Sequence, residues 1–95
     1  MDRTHTEELY RRAERVIPGG VSSSNRLIEP RMAFESARGA ETVDADGNRY
    51  IDYHAGFGPP ILGYRHEAVE RRLVETLSEC DMVGIGTTRL EVELA

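Results

Sequence analysis

Asp44-Ala45-Asp46-Gly47-Asn48-Arg49-Tyr50-Ile51-Asp52-Tyr53-His54-Ala55-Gly56-Phe57-Gly58-Pro59-Pro60-Ile61-Leu62-Gly63 is the stretch whose reading decides the fold. Asp46-Gly47-Asn48 is a tight-turn signal, because Gly and Asn accept the positive φ that hairpin turns need. Tyr50 to Tyr53 is strand-like, aromatic and β-branched, with Ile51 and Tyr53 on one face and Tyr50 and Asp52 on the other. Gly56-Phe57-Gly58-Pro59-Pro60 then ends the strand: two glycines free the backbone and two prolines stiffen the exit. The arrangement is that of a hairpin feeding one aromatic residue into a Gly/Pro loop. It reads either as an edge prepared for a ligand or as an ordinary structural turn.

Upstream, two more strands fit the same pattern. One runs from about Met32 to Ser36 and one from Glu41 to Asp44, with Gly39 between them. With a third at Arg49 to Tyr53, they predict a small antiparallel three-stranded meander whose buried face carries Val43, Ile51 and Tyr53. Ahead of it lies a helix. Thr6 is placed to cap it, Glu7 and Glu8 favour its positive end, and Leu9, Ala13 and Val16 form its apolar stripe. Pro18-Gly19-Gly20 stops it near Ile17. Val21 to Pro30 is a polar loop. Its three serines, Asn25 and Arg26 read either as an anion site, with the guanidinium gripping a carboxylate, or as a solvated connector.

Downstream, a helix from about Glu67 to Glu79 carries Val69, Leu73 and Leu77 at i, i+4, i+8, with Arg71 and Glu75 set for a weak ion pair. Cys80 reads as a small apolar core residue at its end. Asp81 to Thr87 is a loop, and Thr88-Arg89-Leu90-Glu91 is a capping-box pattern opening a third helix. The chain stops about two turns later, which reads as a truncated helix. The fold class is therefore α+β: an N-terminal helix, the meander and two following helices.

The chain has 95 residues, enough for one small domain, a net charge of −5 and a single cysteine. The charge argues against a nucleic-acid surface. No apolar run is long enough for a membrane span and no signal-peptide core opens the chain, so a cytoplasmic location is expected. The single cysteine excludes an internal disulfide. All twelve basic residues are arginine. Chemistry that needs a lysine amine cannot be completed within these residues. The metal motifs fail on spacing. Asp44-x-Asp46 has Arg49 where a calcium loop needs glycine, and His66-Glu67-Ala68-Val69-Glu70 lacks the second histidine of a zinc-protease helix. Gly84-Ile85-Gly86 is a weak phosphate-cradle signal, since it follows a helix instead of a strand.

Taken as strings, these segments carry more than their spacings do. Val16-Ile17-Pro18-Gly19-Gly20-Val21-Ser22-Ser23-Ser24-Asn25-Arg26, Val43 to Tyr53, Gly56 to Gly63 and Glu91 to Ala95 occur in the order and spacing of one family. The chain resembles the N-terminal part of class III pyridoxal-phosphate-dependent aminotransferases, above all the glutamate-1-semialdehyde 2,1-aminomutases. The resemblance implies that residues 1–95 are an N-terminal segment, mostly small-domain elements, of a homodimeric enzyme with the α/β aspartate-aminotransferase fold (pyridoxal-phosphate fold type I). It implies that the Schiff-base lysine and most of the phosphate cradle lie in a large domain outside this chain. It also implies substrate-binding roles here: Ser23 and Arg26 for the carboxylate of a small amino substrate, and Phe57 as the aromatic wall of the pocket. No catalytic residue is expected within the segment. Two positions depart from the family pattern. Phe57 stands where the aminomutases usually have tryptophan, which leaves a generic aminotransferase as a second reading. Gly63-Tyr64-Arg65-His66-Glu67 replaces the usual Gly-His-x-His-Pro. From a different class, a non-catalytic α+β interaction or dimerisation module, or a decayed gene fragment, fits the same composition.

Mixed with pyridoxal phosphate and reduced with borohydride, the 95-residue chain is expected to acquire no side-chain adduct. Peptide mapping by mass spectrometry checks this, and a reduced adduct on any side chain contradicts it.

Overall fold

A computed structural model describes residues 1–81 and 83–95 as two units, Met1–Arg65 and His66–Ala95. In the first unit, helix α1 (Thr4–Val16) precedes a three-stranded sheet of β1 (Phe34–Arg38), β2 (Glu41–Asp44) and β3 (Arg49–Ile51). The sheet is an antiparallel meander in the order β1-β2-β3. The expected α+β class and topology are therefore observed. Strand β1 lies two residues later than its pattern suggested, and β3 ends at Ile51 because the chain turns at Asp52. Register places Phe34 opposite Asp44, Ala37 opposite Thr42, Thr42 opposite Tyr50 and Glu41 opposite Ile51, with an irregularity between Phe34 and Ser36.

The buried face is the opposite of the one expected. Thr42 and Asp44 are buried, whereas Ile51 is 55% and Tyr53 94% exposed. The reason is the Asp44 carboxylate. Its Oδ1 accepts from the Asp46 and Asn48 amides at 3.0 and 2.8 Å, and its Oδ2 from Asn48 Nδ2 at 2.9 Å and the Tyr50 hydroxyl at 2.8 Å. A carboxylate with this many donors can be buried at little cost, and β-strand alternation then sends its neighbours outward. Phe34 packs edge-on against Tyr50 on the same face, with ring centroids 6.0 Å apart. Among the described residues no apolar side chain is fully buried. The buried side chains are Thr6, Thr42 and Asp44.

Helix α1 is tied to the hairpin by its own start. Thr6 does not cap it; the first helical residue is Thr4, after Arg3, and Thr6 is buried. The free amides of His5 and Thr6 are instead taken by the two carboxylate oxygens of Asp46, at 2.6 and 3.0 Å. A carboxylate at a helix N-terminus satisfies orphan donors and meets the positive end of the dipole. Asn48 Nδ2 adds a bond to the Asp2 carbonyl at 2.8 Å. Farther along α1, the Tyr10 hydroxyl donates to the Met32 carbonyl at 3.1 Å. Arg31 lies over the Tyr10 ring at 5.1 Å and pairs with Glu14 at 2.9 Å. The α1 stripe is only partly covered: Leu9 is 38% and Val16 78% exposed.

Gly39 and Tyr64 exchange backbone hydrogen bonds at 2.9 and 2.8 Å, which returns the chain to the sheet after the Gly/Pro loop. Gly63 permits this approach. Its φ is +85°, and a Cβ there would lie 3.0 Å from the Gly39 carbonyl oxygen.

The second unit comprises α2 (Glu67–Leu77) and α3 (Arg89–Leu94). Helix α2 ends two residues before the expected Glu79, with Ser78 Oγ donating to the Glu75 carbonyl. Its ion pair joins Arg72, not Arg71, to Glu75 at 3.2 Å. Its apolar residues Val69, Leu73 and Leu77 are exposed, and Cys80 is an exposed free thiol instead of a core residue. The capping box of α3 is present: Thr88 Oγ1 accepts from the Glu91 amide at 3.3 Å and Glu91 Oε2 from the Thr88 amide at 2.6 Å. The expected 81–87 loop includes Met82, which lies outside the described residues.

Burial alone would push the Asp44 carboxyl up, but bonds from the Asn48 and Tyr50 side chains and from the Asn48 and Asp46 amides outweigh it and hold it below the usual carboxylate range. A folded-state pKa below the unfolded value, about 3.9, means that this stabilisation is complete above the unfolded pKa and is lost as pH falls through the folded one. Thermal unfolding of Asp44→Asn should therefore start from a lower Tm at neutral pH and fall less steeply below about pH 4 than the wild type. Parallel curves would contradict the assignment. Gly63→Ala should lower Tm by several degrees and speed amide exchange at Gly39 and Tyr64. Unchanged exchange at both would show that the close approach is not needed.

Candidate substrate groove

The first unit contains an open groove of about 780 Å³ between α1, the polar loop, the sheet and the turn after β3. Its apolar wall includes Ile17, Val21, Ile28 and Phe34. Its polar groups include Ser22, Asn25, Arg26, Asp52, His54 and Tyr64. Such a mixture, apolar walls with a few placed polar groups, is the usual make-up of a small-molecule site.

Two of the three residues singled out in the sequence, Arg26 and Phe57, line this groove together. Ser23 does not line it; its neighbour Ser22 does. Arg26 ends a single helical turn, Ser24–Arg26, that follows Ser23, and its amide donates to the Ser23 carbonyl at 2.9 Å. Ser23 thus acts through its backbone to set the turn that carries the arginine. Among the described residues the Arg26 guanidinium makes one hydrogen bond, to Ser22 Oγ at 3.4 Å. It is exposed and retains donors for a ligand.

Phe57 sits in a turn that is unusual for its backbone. Ala55, Gly56, Phe57 and Gly58 all have positive φ, at 49°, 51°, 69° and 112°. Two of these are not glycine, and a residue with a Cβ in the left-handed region is strained. Asp52 holds the turn. Its Oδ1 accepts from the His54 and Ala55 amides at 2.7 and 3.2 Å, and its Oδ2 accepts from the Tyr64 hydroxyl. His54 Nδ1 accepts from the Phe57 amide at 3.4 Å, and the two rings meet edge to face at 4.3 Å. The Tyr64 hydroxyl and the His54 amide hold the Asp52 carboxyl below its usual range. The same bond to Asp52, with burial, pushes the Tyr64 phenol up. In the sequence Asp52 is a strand residue and Tyr64 a departure from the Gly-His-x-His-Pro pattern. Their pairing is visible only in three dimensions, because the chain folds back at Pro59-Pro60 to bring them together.

Among the described residues no group of three His, Cys, Asp or Glu side chains is arranged to hold a metal ion, and no helix is long and apolar enough to cross a membrane.

No family model matches the chain. It is 43% identical over 96 residues to the glutamate-1-semialdehyde 2,1-aminomutase of Methanothrix thermoacetophila, which covers all of this chain and 22% of that protein. It is 40% identical to the pyridoxal-phosphate form of the FumI protein of Sphingopyxis sp. MTA144, over 97% of this chain and 23% of that one, with a TM-score of 0.77. A transaminase with pyridoxal phosphate bound superposes at a TM-score of 0.84 and 29% identity, over 98% of this chain and 22% of that one. The chain spans about a fifth of the length of the curated relatives it matches. Along its whole length the chain is similar to a part of glutamate-1-semialdehyde 2,1-aminomutases and of a transaminase that binds pyridoxal phosphate.

Proposed function

We propose that this chain is the N-terminal segment of a pyridoxal-phosphate-dependent aminomutase or aminotransferase, and that its part in that enzyme is to recognise the carboxylate of a small amino substrate. The observation that carries the reading is the meeting of Arg26 and Phe57 in one groove. A guanidinium can grip a carboxylate through two parallel hydrogen bonds, and an aromatic wall restricts the remainder of the substrate to one orientation. Orientation of this kind lowers a barrier without the residue reacting. Asn25 and Ser22 supply further polar atoms at the groove, and the Ser23 carbonyl steadies the turn beneath Arg26.

When bound, pyridoxal phosphate supplies the electron sink for moving an amino group. This chain has no lysine and so does not supply a lysine anchor for that cofactor. Its residues fit the substrate side of the site. The proposal extends to a homodimer, as the apolar residues Ile51, Tyr53 and Ile61 are left exposed in the first unit. The relatives include both aminomutases and transaminases, so the amino group is moved within one molecule or between two.

In the intact enzyme, Arg26→Ala should mainly raise KM for the carboxylate substrate, at a cost of about 2–4 kcal/mol where bound substrate buries the pair, with Arg26→Lys between wild type and Arg26→Ala. Steady-state kinetics with the amino substrate checks this. An unchanged KM removes Arg26 from the site.

A further inference from the structure

The Tyr64 hydroxyl donates to Asp52 Oδ2 across the base of the turn that carries Phe57. A Cβ at Gly56, in the middle of that turn, would lie 3.7 Å from the same hydroxyl, so the phenol closes over the strained backbone. The other Asp52 oxygen holds the His54 and Ala55 amides, and His54 holds the Phe57 amide and ring. A chain of contacts therefore runs from Tyr64 through Asp52 and His54 to Phe57. Left-handed backbone at non-glycine residues persists only where its surroundings enforce it. The carboxylate and the phenol are the enforcing groups here.

We infer that Tyr64 and Asp52 form a clamp that positions Phe57 at the groove, making Tyr64 a positioning residue that sets how the groove receives its substrate. The inference rests on the reading of the groove as a substrate site. Tyr64 enters the sheet through its backbone bridge to Gly39, which does not involve the side chain. The hydroxyl is thus free to serve the turn while the backbone serves the fold. Removing only that oxygen should loosen the turn and leave the Asp44 hairpin intact.

The test uses the intact protein with Tyr64→Phe, which keeps the ring and the backbone bridge, and Asp52→Asn as a second variant. Hydrogen exchange followed by mass spectrometry compares the 53–58 segment with the 44–50 hairpin. We expect exchange in 53–58 to speed up by about tenfold, as for the loss of one hydrogen bond to a charged group, with the hairpin unchanged. KM for the amino substrate should rise in step while kcat changes less. Unchanged exchange in 53–58 in both variants overturns the clamp. Equal loosening of the hairpin overturns its local character. Loosening confined to the turn with KM unchanged overturns the positioning role, while the substrate-site reading stands or falls separately on Arg26→Ala.

Discussion

The Asp44 carboxylate collects hydrogen bonds from the Asp46 and Asn48 amides, the Asn48 side chain and the Tyr50 hydroxyl, and the first unit is arranged around that convergence. The carboxylate fixes the β2–β3 turn, and the turn points Asp46 at the first amides of α1. Sequence-distant segments are thus joined by two aspartates from one hairpin. Where no apolar side chain among the described residues is fully buried, such charge-assisted bonds carry more of the organisation than in an oil-cored domain. Leaving these donors without their acceptor would be costly, since a buried polar group without a partner pays its full desolvation.

The candidate site repeats the device one turn later. Asp52 accepts the amide two residues ahead, as Asp44 does, and then a tyrosine hydroxyl, as Asp44 does. Both are Asx-type turns in which a side chain does the work of a backbone acceptor. The first builds the scaffold and the second shapes a turn in which Ala55 and Phe57 adopt a left-handed backbone. The groove between α1, the polar loop and this turn is therefore bounded by parts held through side-chain carboxylates as well as by the sheet.

Much of the fold is legible in the residues themselves. The Asp46-Gly47-Asn48 turn, the three-stranded meander, the Pro18-Gly19-Gly20 stop and the Thr88–Glu91 capping box all arise from short-range rules, and all are present. The buried face of the sheet was not legible. Alternation identifies two faces, and hydrophobicity selects the one with Val43, Ile51 and Tyr53, but a fully bonded aspartate reverses the choice. The start of α1 is hidden for a related reason: Asp46, from across the chain, takes the His5 and Thr6 amides, which no local pattern at Thr6 reveals. At the groove, the Ser-rich loop and the aromatic Gly/Pro turn were each visible as candidates. That Arg26 and Phe57 share a cavity, and that Ser23 stays outside it, depends on long-range folding.

The most direct test of the account is a crystal structure of the intact protein with its carboxylate substrate or a carboxylate-bearing inhibitor bound. The carboxylate is expected in two-point contact with the Arg26 guanidinium, with the Phe57 ring against the ligand. A carboxylate held by other residues, with Arg26 turned to solvent, would contradict it.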